Sequence, residues 1–331
     1  MAAEGVELLA ELDDLAVMGF GEIVRHLEFF RALERRMREW VLRADLVIPI
    51  DYPGFNMRIA RAAREAGRPV VYYISPKVWA WRASRAKRLA EDVDHVAVIF
   101  PFEVDILEKA GARATFVGNP LLDRPNDVDG FAIFHERWGL DATRPILAVL
   151  PGSRHQELER HLQPFLRAAA LVAEAVPDVQ TVVAKAPTLP ASAYAGLGVP
   201  VVEDTRALLR HSRASLVKSG TSTLEATLEE TPFVVAYRTS AFSWAIVRRV
   251  LKIEHVSLTN LVAGEEVVPE FIQEAMIPEH LAERLIPLLD LGSAARQRQV
   301  IGLAKIRSLL GSPGASARVA ELGLRLMEAR S

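Results

Sequence analysis

Two short loops in the second half of the chain carry residue types that bind phosphate. The sequences SGTSTLE at 219–225 and LPGSR at 150–154 each end an apolar run and precede a helical pattern. In each loop a glycine lets the backbone approach a ligand, and the next helix start offers amide N–H groups and partial positive charge. Ser222 and Glu225 also have the spacing of a capping box, so the loop at 219–225 could instead be an ordinary helix start that binds no ligand.

Arg154 lies two residues after Gly152, the glycine that would admit a phosphate. Its planar guanidinium is always charged and suits bidentate contact with phosphate oxygens. The alternative for this residue is a surface ion pair with Glu157 or Glu159, which would have no part in catalysis.

Asp51 has the position of a general base. It directly follows the apolar run 44–50, which we predict to be a strand, and Pro53 with Gly54 predicts a turn just after it. The carboxylate would then lie at the carboxyl edge of a sheet, where α/β folds bind ligands. Ordinary turn chemistry explains the same spacing.

The loop SPKVWAWR at 75–82 concentrates two tryptophans and two cations, which could contact a sugar. Packing of Trp79 in the core is the alternative. Asn260 lies in a further loop at 257–261, where it could simply form a turn.

Alternating apolar runs and amphipathic stretches must position these loops, and they predict an α/β protein with doubly wound parallel sheets. Proline, glycine and aspartate interrupt the pattern between 121 and 145, which predicts a linker with a short helix. We predict helices at 20–41, 57–65, 103–110, 158–175 and over most of 278–330, and strands at 44–50, 70–74, 96–100, 115–117, 146–150, 181–184, 199–202, 216–217 and 233–236.

Composition narrows the class of protein. A chain of 331 residues suggests two domains, and the absence of cysteine removes disulfides and thiolate chemistry. A net charge of −2 indicates no nucleic-acid partner, and the eight histidines form no zinc-type pair, so no metal is predicted. No strand precedes a GxGxxG sequence, which argues against a nicotinamide or flavin cofactor.

No apolar run approaches the ~18 residues that span a bilayer, and we expect an intracellular protein. The segment 242–252 is amphipathic and basic, with Trp244, Arg248 and Arg249. This segment could be an ordinary helix that faces the core, or it could contact anionic lipid.

Four motifs, IDYPGFN at 50–56, SPKVWAWR at 75–82, LPGSR at 150–154 and SGTSTLE at 219–225, resemble the bacterial lipid-A-disaccharide synthases, as do AVMG at 16–19 and VSLTNL at 256–261. The resemblance implies a GT-B glycosyltransferase, with two Rossmann-like domains facing a cleft, an inverting mechanism, and no catalytic metal or cofactor. The implied reaction joins UDP-2,3-diacylglucosamine to 2,3-diacylglucosamine 1-phosphate and yields UDP and the β-1,6 disaccharide of lipid A. Its implied place is a Gram-negative cytoplasm, on the anionic surface of the inner membrane.

The resemblance also implies roles for particular residues. Asp51 would be the catalytic base, and Arg154 would stabilise the departing diphosphate. The implied donor-binding residues are Gly152, Ser153, Arg154, Ser219, Gly220, Thr221, Leu224, Glu225 and Asn260. The implied acceptor-binding residues are Asn56, Ser75, Lys77 and Trp81.

We expect an acceptor domain with linker at 1–145, a UDP-sugar domain at 146–310 and a C-terminal helix at 311–331. That helix would pack on the first domain or on a partner subunit, and a homodimer stays open. Relatives open with a strand and a glycine-rich loop that this sequence lacks before residue 15, so we expect an incomplete first domain and either poor solubility or weak activity. Asn119 stands where many relatives carry histidine.

Two other functions fit the residues. One is a different UDP-sugar enzyme of the same architecture, either a peptidoglycan-precursor N-acetylglucosaminyltransferase or an epimerase. The other is a protein that binds nucleotide sugars without turnover.

Overall fold

The computed structural model describes residues 5–9, 23–79, 83–240, 244 and 255–330. The chain divides into two compact units, one formed by Met1–Val117 with Gly314–Ser331 and the other by Gly118–Pro313. Residues 118–145, which we expected to join the first domain, thus belong to the second unit. The motif at 16–19, Trp81 and all of the segment 242–252 except Trp244 lie outside the described residues.

The first unit alternates helices and short strands. Its elements are α1 (Ile23–Arg43), α2 (Pro53–Glu65), β1 (Val71–Tyr73), α3 (Ala83–Asp92), β2 (His95–Val98), α4 (Phe102–Lys109), β3 (Ala114–Phe116) and, at the C-terminus, α12 (Ala315–Glu328). Strands β1, β2 and β3 pair in parallel in that order.

The predicted strand at 44–50 is reduced to isolated parallel bridges. Val47 pairs with Val70, and Ile50 pairs with Tyr73. Pro49 between them accepts a hydrogen bond from the Tyr73 amide but has no N–H to donate, so no regular ladder forms. The segment still runs beside β1 and delivers Asp51 to the carboxyl edge of the sheet.

Both faces of this sheet are covered by apolar side chains. On one face Tyr72, Val96 and Val98 pack with residues of α2, α3 and α4. On the other face Val71, Tyr73 and Ala97 pack with Val319, Leu322 and Leu326 of α12. The C-terminal helix therefore completes the core of the first unit.

The second unit contains the longer series of strands. After a 3₁₀ turn at Pro120–Asp123 come α5 (Phe131–Trp138), β4 (Ile146–Leu150), α6 (His155–Ala175), β5 (Gln180–Ala184), β6 (Val201–Val202), α7 (Thr205–His211), β7 (Ala214–Lys218), α8 (Thr221–Leu228), β8 (Phe233–Tyr237), α9 (Leu258–Ala263), β9 (Glu270–Ile272), α10 (Pro278–Leu289) and α11 (Ala294–Leu309). Strand β9 was not predicted from the sequence, because its three residues are half-buried and too few to show a pattern.

The sheet of the second unit is parallel, in the order β6-β5-β4-β7-β8-β9. In order along the chain this is 3-2-1-4-5-6, the arrangement of a doubly wound nucleotide-binding fold. Leu147 and Val149 of β4 face a core with α6 and α10, whereas Ile146, Ala148 and Leu150 face a core with α7 and α11. This alternation explains why a fully buried strand reads as an unbroken apolar run.

Within the part of the chain that the structure describes, no helix is both long enough and apolar enough to cross a membrane.

Candidate functional site

The order of the second sheet reverses between β4 and β7, which are neighbours although α6, β5, β6 and α7 separate them along the chain. Ligands of such sheets bind outside the carboxyl ends of the strands at this switch point. The loop after β4 is 151–154, and the loop after β7 is 219–220. Both phosphate-type loops found in the sequence therefore flank the switch point.

A cavity of about 410 Å³ opens at this edge of the sheet. Four of the predicted donor-binding residues line it, together with cations and carboxylates from neighbouring loops. The lining includes Gly152, Ser153, Thr221, Glu225, Arg124, Asp204 and Arg206. A larger groove of about 770 Å³ lies between β9, α10 and α11, but none of the predicted site residues line it. We therefore place the site in the smaller cavity.

Gly152 lies directly against Glu157, which explains the need for glycine. Its φ of 127° lies in a region that side chains disfavour, and an added Cβ would lie 2.7 Å from the Cβ of Glu157. The Oε2 atom of Glu157 accepts a hydrogen bond from the Ser153 amide at 3.0 Å. Glu157 thus holds the loop after β4 in its extended course at the start of α6.

Glu157 also reaches the second loop. Its Oε1 atom accepts a hydrogen bond of 2.8 Å from Nζ of Lys218, the last residue of β7. Both side chains are largely buried, at 14% and 15% exposure. Burial by itself raises the pKa of Glu157, but the hydrogen bond and charge of Lys218 and the amide of Ser153 outweigh it, so the pKa is lowered. The carboxylate stays ionised and ties the two loops together.

Arg154 is exposed, and its Nη1 atom lies 3.9 Å from Oε1 of Glu157. An ion pair this long at a 64% exposed side chain contributes little stability. The guanidinium therefore remains available to a ligand, and the surface ion pair that the sequence suggested is a weak one.

His161 lies one turn further along α6, and both of its ring nitrogens are engaged inside the second unit. Its Nδ1 lies 2.6 Å from the carbonyl oxygen of Glu157, and its Nε2 accepts the amide N–H of Arg238. Burial lowers the pKa of His161 to about 4, so the ring is neutral near pH 7.

The capping-box interpretation of 219–225 is wrong. Helix α8 begins at Thr221 with Gly220 as its N-cap residue and without a side-chain cap, so Ser222 is already the second helical residue. Glu225 instead accepts a hydrogen bond of 2.7 Å on Oε1 from Nη1 of Arg124. The N-terminus of α8 thus faces the cavity without a capping side chain.

Three other expected donor residues, Ser219, Leu224 and Asn260, do not line the cavity. Ser219 donates to the carbonyl of Val256, and Leu224 is buried in the core. Asn260 is fully buried in α9 rather than in a loop. Its Nδ2 donates to the Val268 carbonyl and to Glu270, and its Oδ1 accepts two amide N–H groups, so its position argues against direct contact with a donor.

The first unit holds Asp51 in an uncommon backbone conformation. Asp51 and Tyr52 both have positive φ, at 48° and 45°, and together they cost roughly 2–6 kcal/mol. The Asp51 carbonyl accepts hydrogen bonds from the buried Tyr72 hydroxyl at 2.8 Å and from Asn56 Nδ2 at 2.9 Å. Burial raises the pKa of Tyr72, which therefore stays a donor. Such strain concentrates at functional sites.

Two expected acceptor residues are engaged inside the unit. The side-chain amide of Asn56 donates hydrogen bonds to the carbonyl oxygens of Ile50 and Asp51. These bonds fix the turn that presents Asp51. Ser75 is buried and donates its hydroxyl to Oε1 of Glu103 at 2.9 Å. Lys77 is exposed.

Glu103, which no sequence pattern singled out, accepts hydrogen bonds from the loop that carries two of the expected acceptor residues. Its Oε1 accepts from Ser75 and, at 3.3 Å, from Trp79 Nε1, and its Oε2 accepts the Phe100 amide. Burial raises the pKa of Glu103 to about 7, against the lowering effect of these hydrogen bonds. Glu103 thus connects the loop after β1 with the start of α4, and a carboxylate just after a strand and Pro101 was the available signal.

Asn119 accepts the Leu121 amide on Oδ1 and so caps the 3₁₀ turn at Pro120–Asp123. Its Nδ2 is buried and has no hydrogen-bond partner among the described residues. Across the same described part of the chain, no cluster of three or more histidine or acidic side chains could hold a metal ion.

Comparison with solved structures identifies the fold. The glycotransferase of kitacinnamycin superposes with a TM-score of 0.63 at 18% identity, covering 98% of this chain and 88% of that one. A putative UDP-N-acetylglucosamine 2-epimerase from Listeria monocytogenes gives a TM-score of 0.60 at 14% identity, covering 88% and 77%. Together with the switch-point cavity, this defines an α/β protein of the GT-B class.

Sequence comparison identifies the family. The model of the lipid-A-disaccharide synthetase family matches residues 1–315. The lipid-A-disaccharide synthase of Anaeromyxobacter sp. (strain K) is 43% identical over 335 residues, covering 98% of this chain and 86% of the relative. That of Myxococcus xanthus (strain DK1622) is 39% identical over 338 residues, covering 99% and 88%. The chain belongs to the lipid-A-disaccharide synthetase family and is a glycosyltransferase of lipid A synthesis.

The close contact at Gly152 predicts the effect of a single methyl group. We expect Gly152→Ala to lower the free energy of unfolding of the second unit by roughly 1–3 kcal/mol, because the new Cβ must displace Glu157 from Ser153. Denaturant unfolding measures this. The matched control is Gly196→Ala, where φ is also positive but no atom lies within 4 Å of the added Cβ. Equal losses in the two variants would show that the contact with Glu157 does not matter.

The buried carboxyl of Glu103 predicts a pH dependence of stability. Because its pKa is raised in the fold, its stabilising contribution is complete below its unfolded pKa of about 4.5 and is lost as pH rises through about 7. We expect Glu103→Gln to reduce the fall in unfolding free energy between pH 5 and 8 by up to about 3 kcal/mol. Denaturant unfolding at both pH values measures it, with the exposed Asp105→Asn of the same helix as control. An unchanged pH dependence would contradict the prediction.

Proposed function

We propose that this protein transfers 2,3-diacylglucosamine from UDP to the 6-hydroxyl of 2,3-diacylglucosamine 1-phosphate, with inversion and without a metal. The single observation that carries the proposal is the meeting of the 151–154 and 219–220 loops at the switch point of the second sheet, beside a cavity. Two adjacent loops of this type offer backbone N–H groups and helix N-termini to both phosphates of a nucleoside diphosphate.

In the donor site, the loop after β4 and the start of α8 bind the diphosphate. Ser153 and Thr221 line the cavity, and Arg154, the residue after Ser153, has an exposed guanidinium. As the bond to the sugar breaks, negative charge develops on the leaving UDP, and a positioned cation with backbone N–H groups stabilises that charge. Glu225 accepts hydrogen bonds from the ribose hydroxyls.

In the first unit, Asp51 accepts the proton from the acceptor hydroxyl as that oxygen attacks the anomeric carbon. Its strained backbone, held by Tyr72 and Asn56, supports this role because it fixes the carboxylate at the edge of the sheet. Lys77 and Trp81 contact the acceptor, whereas Asn56 holds the turn that presents Asp51 and Ser75 holds the loop after β1.

The diacylated substrates place the reaction at a membrane surface, which we propose is the cytoplasmic face of the inner membrane. The basic, amphipathic segment 242–252 would supply the contact with anionic lipid. Apolar side chains would enter the interface while Arg248 and Arg249 attract the headgroups.

The proposal predicts that Asp51→Asn abolishes transfer without loss of nucleotide binding. Asparagine tolerates a positive φ as aspartate does, so the fold is kept, but the amide cannot accept the proton. We expect the rate of disaccharide formation to fall by about 10²-fold or more, with the Kd of UDP within about twofold of the wild type. The control is Asp45→Asn, an exposed aspartate of the same unit. Transfer near the wild-type rate at neutral pH would remove Asp51 as the base.

Product analysis separates the other functions that the sequence left open. An epimerase would convert the UDP-sugar without an acceptor, and a nucleotide-sugar binding protein would bind UDP and form no product.

Membrane contact predicts salt-dependent binding to anionic vesicles. We expect the variant with Arg248→Gln and Arg249→Gln to sediment less with phosphatidylglycerol vesicles than the wild type, and raised salt to weaken the wild type in the same way. The charge-matched control is the variant with Lys305→Gln and Arg307→Gln in α11. Binding that ignores salt, or that both variants weaken equally, would refute a role for the segment.

A further inference from the structure

The ion pair between Arg124 and Glu225 joins two residues that are 101 positions apart and both line the cavity. Nη1 of Arg124 lies 2.7 Å from Oε1 of Glu225, a short, charge-assisted hydrogen bond. The guanidinium is half exposed, whereas the carboxylate is 20% exposed. The pair therefore forms part of the wall that a bound ligand meets.

The backbone around Arg124 is fastened to helices α7 and α8. Arg206 of α7 donates through Nη1 to the carbonyl of Pro125 at 2.6 Å and through Nε to Glu229 at 2.6 Å. His211, at the end of α7, has its Nε2 2.8 Å from the carbonyl oxygen of Asp129. Because these contacts hold the backbone that follows the 3₁₀ turn, they also fix the position of the Arg124 Cα from which its side chain extends.

Glu229, the residue that caps the C-terminus of α8, lies four positions after Glu225 and provides a comparison. It accepts hydrogen bonds from both Arg206 and Arg210, and its side chain is only 7% exposed. Glu225 pairs with one arginine, and its Oε2 has no hydrogen bond to any described residue. A carboxylate has about four acceptor positions, so Glu225 can keep Arg124 and still accept ligand hydroxyls.

We propose that Arg124 is a positioning residue for ribose recognition: it orients the Glu225 carboxylate so that the open oxygen faces the sugar hydroxyls of the nucleotide. The inference rests on the proposed function, in which Glu225 binds the ribose of UDP. It adds to that function a residue that acts through Glu225 and sets selectivity for a ribonucleotide over one without ribose hydroxyls.

The test compares two ligands across matched variants by isothermal titration calorimetry. The ligands are UDP and 2′,3′-dideoxyuridine 5′-diphosphate, which keeps the base and both phosphates. We expect the wild type to bind UDP about 10- to 100-fold more tightly, since each hydroxyl donates to a charged acceptor. In Arg124→Met we expect the Kd of UDP to rise about tenfold and that of the dideoxy ligand to stay within about twofold, because only the ribose contact is lost.

The matched control is Arg307→Met. Arg307 forms an ion pair of similar length with Glu230, 2.8 Å against 2.7 Å, and its side chain is similarly exposed, at 51% against 49%, but it does not line the cavity. We expect this variant to bind both ligands as the wild type does.

A double variant tests whether Arg124 acts through Glu225. If it does, Arg124→Met combined with Glu225→Gln binds UDP no more weakly than Glu225→Gln alone. Equal weakening of UDP and the dideoxy ligand in Arg124→Met, additive losses in the double variant, or no change would each overturn the inference and leave the proposed function standing. A wild type that does not bind UDP would overturn both.

Discussion

The parallel pairing of β4 with β7 is the constraint on which the site depends. Registered pairs run from Leu147 with Ala214 to Leu150 with Val217, so both strands end at the same level of the sheet. Each strand is followed by a glycine-containing loop and a helix whose N-terminus points to the same edge. Had another strand come between them, the two loops would lie about 10 Å apart, twice the spacing of neighbouring strands, and could not share a diphosphate.

The buried ion pair of Glu157 and Lys218 keeps this geometry rather than adding much stability. The free energy of removing two charges from water is about as large as the free energy of their mutual attraction, so such pairs stabilise a fold only weakly. Here the carboxylate also accepts the Ser153 amide, so one side chain sets the distance between the two loops. Gly152 follows from the same contact, because no other residue leaves room for Glu157.

Buried polar groups organise the first unit in a similar way. Tyr72 and Asn56 donate hydrogen bonds to the carbonyl oxygen of Asp51, whose backbone has a positive φ. Glu103 accepts hydrogen bonds from the side chains of Ser75 and Trp79. In both places the residue that presents a loop lies in the sheet or in the next helix, not in the loop itself. Substitutions at such residues would alter the site without touching a ligand.

The sequence by itself determined the alternation of strands and helices, both phosphate-type loops and the turn after Asp51. These features are local, because apolar periodicity and turn chemistry depend on residues within a few positions of one another. Only the tertiary structure decided that Glu225 pairs with Arg124, that Lys218 pairs with Glu157, that Asn260 is buried, and that α12 packs in the first unit. Strand order brings the two ion pairs together across 61 and 101 positions of the chain. Burial rather than residue type raises the pKa of Glu103, so no local pattern could predict these features.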